Sequence, residues 1–282
     1  MAPHEVRSAH DRSAARARYS GHRPLKPLAA LDGGGVRALL FDIDDTLTSE
    51  GKLTASAYSA LERWRGAGKR AVAVTGRPAG WCDHIARMWP VDAVVGENGA
   101  FYFHLSDKRL HKQYREPAEI RARNRERLDS VAREILAAVP GTALASDQPY
   151  READIAIDYC EDVPALPLAT AERIAGLMRA RGLHAKVSSI HVNGWFGDYD
   201  KLSMTRILFL ERFAMDLDRD LAAVVYVGDS PNDAPMFEFF PNSVGVANIR
   251  RFESVIATPP KFVTSAASGA GFAELIEHLM RS

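Results

Sequence analysis

Two carboxylates one residue apart, Asp42 and Asp44, follow the apolar run Ala38–Phe41. Four apolar residues between Gly-rich and polar sequence predict a short buried strand. In extended chain, residues i and i+2 point the same way, so both acids can be aimed into one site. Carboxylates held so close repel each other and need a cation or shared protons. Metal binding or acid–base work is therefore the chemistry open to them. Two more apolar runs end in polar clusters: 70–74 in Thr75-Gly76-Arg77, and 222–227 in Gly228-Asp229 through Asp233.

In an open parallel sheet, groups just beyond the carboxyl ends of the strands converge on one crevice. That rule gathers Asp42, Asp44 and Asp229 into a single site with Asp233 close by. Hard oxygen ligands in this number suit Mg²⁺, which keeps waters and pairs with substrate phosphate. Thr75 offers a hydroxyl and Gly76 an unobstructed backbone N–H, as a phosphate oxygen requires. Lys201, just ahead of a predicted helix, supplies a point charge for a phosphoryl group and an attacking carboxylate. Lys186 is the other cation nearby, but it lies inside a predicted strand.

The elements that must position these groups alternate. A helix over 56–68, with Leu61 and Trp64 on one side, separates the strands at 38–41 and 70–74. A helix over 80–89 and a strand over 93–95 follow. This rhythm predicts an α/β fold, a Rossmann-like doubly wound parallel sheet. From about residue 101 the rhythm changes. Strands at 101–103 and 111–114 precede a long helix over 117–139, with Ile120, Leu128, Val131, Ile135 and Leu136 as its apolar stripe. A strand over 154–159, a helix over 167–181 and a strand over 185–195 complete an inserted α+β block. The α/β rhythm returns with a helix over 202–213, strands over 222–227 and 243–247, and a helix over 271–280. The expected divisions are a tail over 1–36, core over 37–103, a cap over 104–195, and core again over 196–282.

At 282 residues the chain has ample material for such a core and insert. Lys+Arg and Asp+Glu each number 36, so no net charge argues for nucleic acid or an anionic membrane as partner. No apolar stretch approaches the roughly 18–20 residues that span a bilayer. The two cysteines, Cys82 and Cys160, are far apart and lack metal-type spacing, which points to a reducing, cytoplasmic setting. Residues 1–36 show no apolar periodicity and no secretory apolar core, and read as a disordered tail.

Asp-Ile-Asp-Asp-Thr, then Val-Thr-Gly-Arg, then Lys201, then Gly-Asp-Ser-Pro-Asn-Asp resemble the four ordered motifs of the haloacid dehalogenase superfamily. The match in order and spacing runs over about residues 37–282. The insert lies between the second and third motifs, where C2 members carry a cap. Its alternating strands and helices, and Gly-Glu-Asn-Gly-Ala at 96–100, resemble the C2B subgroup of sugar phosphatases, Cof-like phosphatases and phosphomannomutases. Asp45 stands where that subgroup more often has Gly. The resemblance implies a Mg²⁺-dependent phosphatase acting on a small phosphorylated metabolite, with a sugar phosphate as best candidate. It makes Asp42 the nucleophile and a metal ligand. Asp44 becomes the general acid and base, with its carbonyl on the metal. Thr75 and Lys201 hold phosphoryl oxygens, and Asp229 completes the metal shell. Asp233 is a ligand through water or the orienter of Lys201.

Other candidates are left with two roles each. Arg77 either contacts phosphate or braces its loop. Asn98 is a turn residue or a substrate ligand. His191, Asn193 and Trp195 share one strand face that could look onto a sugar, with Trp195 stacking and Asn193 hydrogen-bonding. The stretch 193–201 also resembles the Gly-Trp-Asp-Lys of phosphomannomutases with a longer Trp-to-Lys spacing, so a phosphomutase is the alternative. A non-catalytic ligand-binding module on the same fold is a third reading, but no essential acid is missing.

Overall fold

The computed structural model describes residues 24–254 and 256–281, and the expectation for residues 1–23 lies outside them. In chain order the first strands and helices are β1 (Lys26–Pro27), β2 (Ala38–Phe41), α1 (Ala55–Gly66), β3 (Arg70–Val74), α2 (Ala79–Met88), β4 (Ala93–Gly96), β5 (Phe101–Ser106) and β6 (Arg109–Tyr114). Then come α3 (Ala118–Ala138), β7 (Ala143–Leu144), β8 (Asp154–Asp158), α4 (Leu168–Ala180), β9 (His184–Val187) and β10 (His191–Trp195). The chain closes with α5 (Lys201–Phe213), β11 (Val224–Gly228), α6 (Ala234–Phe239), β12 (Ser243–Gly245), β13 (Phe262–Val263) and α7 (Ser268–Arg281).

Among the described residues nine strands form the larger sheet, in the order β1-β13-β12-β11-β2-β3-β4-β5-β6. All neighbours are parallel except the β4–β5 and β5–β6 pairs. The central strands are buried throughout except for the exposed Arg70 at the start of β3, because helices cover both faces. Leu39, Phe41, Ala71, Ala73, Val225 and Val227 point to one side, where Trp64 of α1 and Phe272 of α7 meet them. Leu40, Val72, Val74 and Tyr226 point to the other, against Leu208 and Phe209 of α5. The indole of Trp64 also donates to the Arg70 carbonyl at 2.7 Å, fixing α1 against the start of β3.

A second, antiparallel sheet has the order β7-β8-β10-β9. Its period-two pattern sorts the chain cleanly. Ile155, Ile157 and Val192 pack on Leu128, Val131 and Ile135 of α3 and on Ile174 and Met178 of α4. The alternate residues Asp154, Asp158, His191 and Asn193 are nevertheless buried, because this polar face closes onto the end of the larger sheet.

The structure moves three expected boundaries. The expected 103/104 division falls inside β5, and β5 and β6 both hydrogen-bond within the larger sheet. The change of rhythm at 101 marked a switch from parallel to antiparallel pairing rather than a new layer. The single strand expected over 185–195 is the hairpin β9–β10, turned at 188–190. Residues 24–36 are placed, not tail-like: Leu28, Leu31 and Val36 are buried in the core, and β1 pairs β13. Their apolar spacing is too short and irregular to register as a helix or strand.

Candidate active site

Asp42 lies one residue beyond β2, and its backbone N–H donates to the Val227 carbonyl at 3.0 Å, which extends the β2–β11 ladder up to the acid. Lys201 is delivered from the opposite side by a capping box. Asp200 accepts the Ser203 N–H at 2.8 Å and donates its own N–H to the Ser203 hydroxyl, so Lys201 occupies the first turn of α5. Its ammonium lies 2.7 Å from Asp42 Oδ1 and 2.7 Å from Asp233 Oδ1. All three side chains are buried. Burial works against the charge on Lys201, but Asp233 and Asp42 outweigh it and hold the ammonium protonated.

Asp233 is fully used. Its Oδ1 also accepts the Tyr226 hydroxyl, while Oδ2 accepts the N–H groups of Asp229 at 3.1 Å and Ser230 at 3.3 Å. This close fit needs Gly228: a Cβ there would stand 2.3 Å from Asp233 Oδ2. Of the two roles open to Asp233, its contacts favour the brace of Lys201.

Asp229 differs. Its Oδ2 accepts Asn248 Nδ2 and Arg251 Nη2, each at 3.1 Å, but its buried Oδ1 has no hydrogen-bond partner. Oxygens of Asp42, Asp229 and Asp233 all lie within 4.8 Å of one another. Burial pushes the Asp42 carboxyl up to about 8, and Asp233 and Asp44 add to this against the pull of Lys201. Burial likewise drives Asp229 well above the ordinary carboxylate range, helped by Asp42 and Asp233. A dry cluster of acids with one ammonium and one orphaned oxygen fits a hard divalent cation.

The second strand end supplies the other wall. Thr75 is buried beyond β3, and its hydroxyl accepts the Arg77 N–H at 3.1 Å. Gly76 packs so tightly that a Cβ would lie 3.1 Å from Asn98 Nδ2 and 3.5 Å from Asn193 Oδ1. Arg77 grips Asp44 through Nε and Nη2 at 2.8–3.0 Å, and reaches Asp147 at 3.2 Å and Glu161 at 2.9 Å on the smaller-sheet side. The crevice between the sheets is shut down to about 10 Å³, room for a single water.

Residues 39–123 match the family model described as haloacid dehalogenase-like hydrolase. No curated protein matches the chain by sequence. Among solved structures, a protein of Thermoplasma acidophilum superposes with a TM-score of 0.64 at 18% identity, covering 88% of this chain and 99% of its own. The sucrose-phosphatase of Synechocystis sp. PCC6803, solved with sucrose and phosphate, gives 0.60 at 16% identity over 87% and 98%. A trehalose-6-phosphate phosphatase related protein gives 0.58 at 16% over 86% and 97%. Over residues 39–123 the chain is similar to haloacid dehalogenase-like hydrolases, and it shares its fold with these solved structures.

Within this fold, Asp42, Asp44, Thr75, Gly76, Arg77, Lys201, Asp229 and Asp233 meet at the ends of β2, β3 and β11 and the start of α5. Of the lesser candidates, Asn193 lines the crevice and donates to Asp154 at 3.0 Å. Asn98 abuts Gly76, with φ of 54° and a buried amide nitrogen that has no partner. Trp195 does not line it: the indole is buried, donates to the Tyr199 carbonyl at 3.1 Å and stacks on Tyr199, so alternation placed it on the right face but too far along the strand. Sequence reasoning missed Glu97, Asp147, Arg151, Glu161, Asn248 and Arg251. Arg251 pairs with Asp45 at 2.9 Å as well as with Asp229, which neutralises the extra acid after Asp44. Glu97 lies in the Gly-Glu-Asn-Gly-Ala stretch but was given no role there; no motif marks the others, and the partners of Asn248 and Arg251 are 19 to 206 positions away in the chain.

Proposed function

We propose that this chain is a phosphatase that hydrolyses a small phosphorylated metabolite, a sugar phosphate being the best candidate, through an aspartyl-phosphate on Asp42. The observation that carries the reading is the 2.7 Å pair of Lys201 with Asp42, set beside the partnerless oxygen of Asp229. A carboxylate attacks a phosphate dianion only where negative charge is offset, and a buried ammonium on that carboxylate does this. Mg²⁺ would be held by Asp42, Asp229 and the Asp44 carbonyl, and when bound would neutralise charge on the carboxylates and the phosphoryl group.

The chain's own residues account for the rest. Thr75, the Gly76 N–H and Lys201 hold the phosphoryl oxygens. Asp42 attacks phosphorus, the ester P–O bond breaks, and the departing oxygen takes a proton from Asp44. Asp44, now a carboxylate, takes a proton from water as that water attacks the aspartyl-phosphate, which frees phosphate and restores Asp42. Arg77 holds Asp44 in the shut crevice and yields it to the leaving oxygen once substrate is seated. Opening is obligatory, because a crevice with room for one water admits no sugar. The smaller sheet then acts as a lid that excludes bulk water.

The test is phosphate release from sugar phosphates, nucleotides and other phosphomonoesters, with and without Mg²⁺. Metal-dependent release that Asp42→Asn abolishes is the expected result. Full activity of that variant would overturn the role given to Asp42.

A further inference from the structure

Asp45 follows Asp44 directly, and the structure gives it partners that the phosphatase chemistry does not use. The chain turns there through the left-handed region, with φ of 54°. Two nitrogens from the short helix Ala247–Phe252 reach it. Arg251 Nη2 donates to Asp45 Oδ2 at 2.9 Å, and Asn248 Nδ2 donates to the Asp45 carbonyl at 3.0 Å. Both nitrogens also donate to one and the same atom, Asp229 Oδ2, each at 3.1 Å. Asn248 is itself fixed, because its Oδ1 accepts the Ser268 N–H at 2.9 Å at the start of α7.

A carboxylate oxygen has two lone pairs, and these two donors fill both on Oδ2. Asp229 Oδ1, buried and without a partner among the described residues, is then the one oxygen this side chain can offer a cation. That count separates two common ions. Mg²⁺ is satisfied by roughly six oxygens at about 2.0–2.1 Å, several of them water, whereas Ca²⁺ takes roughly six to eight at about 2.3–2.6 Å and readily uses both oxygens of a carboxylate. A site that withholds the second oxygen suits the smaller ion. Without Arg251 one lone pair on Oδ2 comes free, since Asn248 keeps only the other. The charge of Arg251 also repels a divalent cation, but it acts alike on both ions and cancels when they are compared.

We infer that Arg251, anchored by Asp45, restricts Asp229 to a single free oxygen and thereby sets the preference of the site for Mg²⁺ over Ca²⁺; this rests on the metal site proposed above. Arg251 is a positioning residue that acts through Asp229. Its side chain is half-exposed, so the pair with Asp45 is what keeps the guanidinium over Oδ2.

The experiment measures Kd for Mg²⁺ and for Ca²⁺ separately and without substrate, from thermal melts of the chelator-treated full chain over a concentration series of each salt. Wild type is expected to bind Mg²⁺ the more tightly. Arg251→Met should move the ratio of the two constants toward Ca²⁺ by about tenfold, the lower end of what outer partners of metal ligands contribute. Asp45→Gly, which suits the left-handed backbone, should move it the same way by less. A merely loosened loop would weaken both ions together and leave the ratio alone. A ratio that Arg251→Met leaves unchanged or moves toward Mg²⁺ overturns the inference while the metal site stands, and so does a wild type that binds Ca²⁺ as tightly as Mg²⁺. If Arg251→Met does not fold, the ratio in Asp45→Gly decides by the same criterion. Binding of neither ion by wild type removes the metal site and this inference with it, whatever the phosphate-release assay gives.

Discussion

Glu97, buried at the end of β4, accepts the backbone N–H of Ala153 at 2.6 Å across the joint between the two sheets. Its carboxylate also accepts the N–H groups of Glu152 and Asp154, at 2.9 and 3.2 Å, and that of Ala79 at the start of α2, at 2.9 Å. The loop that presents it is unusual: Glu97, Asn98 and Gly99 all have positive φ, at 42°, 54° and 108°. At Gly99 a Cβ would stand 2.0 Å from the Asp200 carbonyl, so only glycine lets the chain pass under α5. Strained backbone persists where its surroundings over-determine it, and the four N–H groups do so here.

Glu97→Ala leaves those four donors without an acceptor, at about 1–3 kcal/mol for each that water cannot reach. With partial hydration of the gap, a loss of about 3–5 kcal/mol is expected in urea denaturation. Glu97→Gln keeps one acceptor oxygen and turns an amide against the other donors, so it should fall between. A Glu97→Ala protein as stable as wild type would show that the clamp contributes nothing.

Removal of charge at Asp229 should separate metal binding from folding. Burial, Asp42 and Asp233 all act against ionised Asp229, so Asp229→Asn should melt at or above wild type in chelator. Mg²⁺ at about a hundred times its Kd adds roughly 2.7 kcal/mol to a protein that binds it only when folded. At this chain length that corresponds to a rise in Tm of several degrees. Wild type should show the rise and Asp229→Asn should lose most of it, as read by thermal melts without substrate. Identical Mg²⁺ responses would exclude Asp229 as a ligand.

The acids and the loop at the strand ends were legible because their chemistry is local. Asp42 and Thr75 sit directly after an apolar run and Asp229 one glycine further on, and the convergence rule for parallel sheets joins them without any knowledge of side-chain contacts. Lys201 was legible only through its place before a helix in the resembling motif order. What joins the sheets was not. Arg77 meets Asp147 and Glu161 at separations of 70 and 84 residues, and Arg151 meets Gly76 across 75. Arg, Asp and Glu are common on solvated faces, so nothing at those positions distinguishes a bridge from surface charge. Trp195 shows the converse: alternation gave its face, but the depth of a residue along a strand depends on where the other sheet ends.

Arg77→Ala removes the one side chain that ties Asp44 to both Asp147 and Glu161. Asp44, Asp147 and Glu161 then lose a shared cation; breaking a fully buried pair costs about 3–5 kcal/mol, and the partly solvated Glu161 and Asp44 bring the loss to the low end of that range. The cost falls on the joint rather than on either core, whose apolar clusters do not include Arg77. Hydrogen–deuterium exchange should therefore speed up at the loops of the joint, around 151–154 and 188–191, while β2, β3 and β11 stay protected. Arg77→Lys keeps the charge but not the fork, and should restore only part of the protection. Uniformly faster exchange throughout the larger sheet would show that Arg77 supports the fold rather than the joint.

Glu161 carries a pH signature of the shut state. Burial pushes its carboxyl up, but His191, 2.8 Å away, and the charge of Arg77 outweigh burial and hold it at about 2, against an ordinary 4.5. The groups that face it are Arg77 at 2.9 Å and His191 at 2.8 Å, with Asp44 and Asp147 sharing Arg77 and Asp158 accepting its backbone N–H at 2.8 Å. A depressed carboxyl binds fewer protons folded than unfolded, so its stabilisation is complete above about pH 4.5 and disappears as pH falls towards 2. The side chain is partly solvated, so screening reduces the effect to on the order of 1–2 kcal/mol. Urea midpoints of wild type and Glu161→Gln should therefore differ most near pH 6 and converge as pH falls towards 3. A gap that stays constant over that range would mean that the ionised form of Glu161 is not what Arg77 and His191 hold.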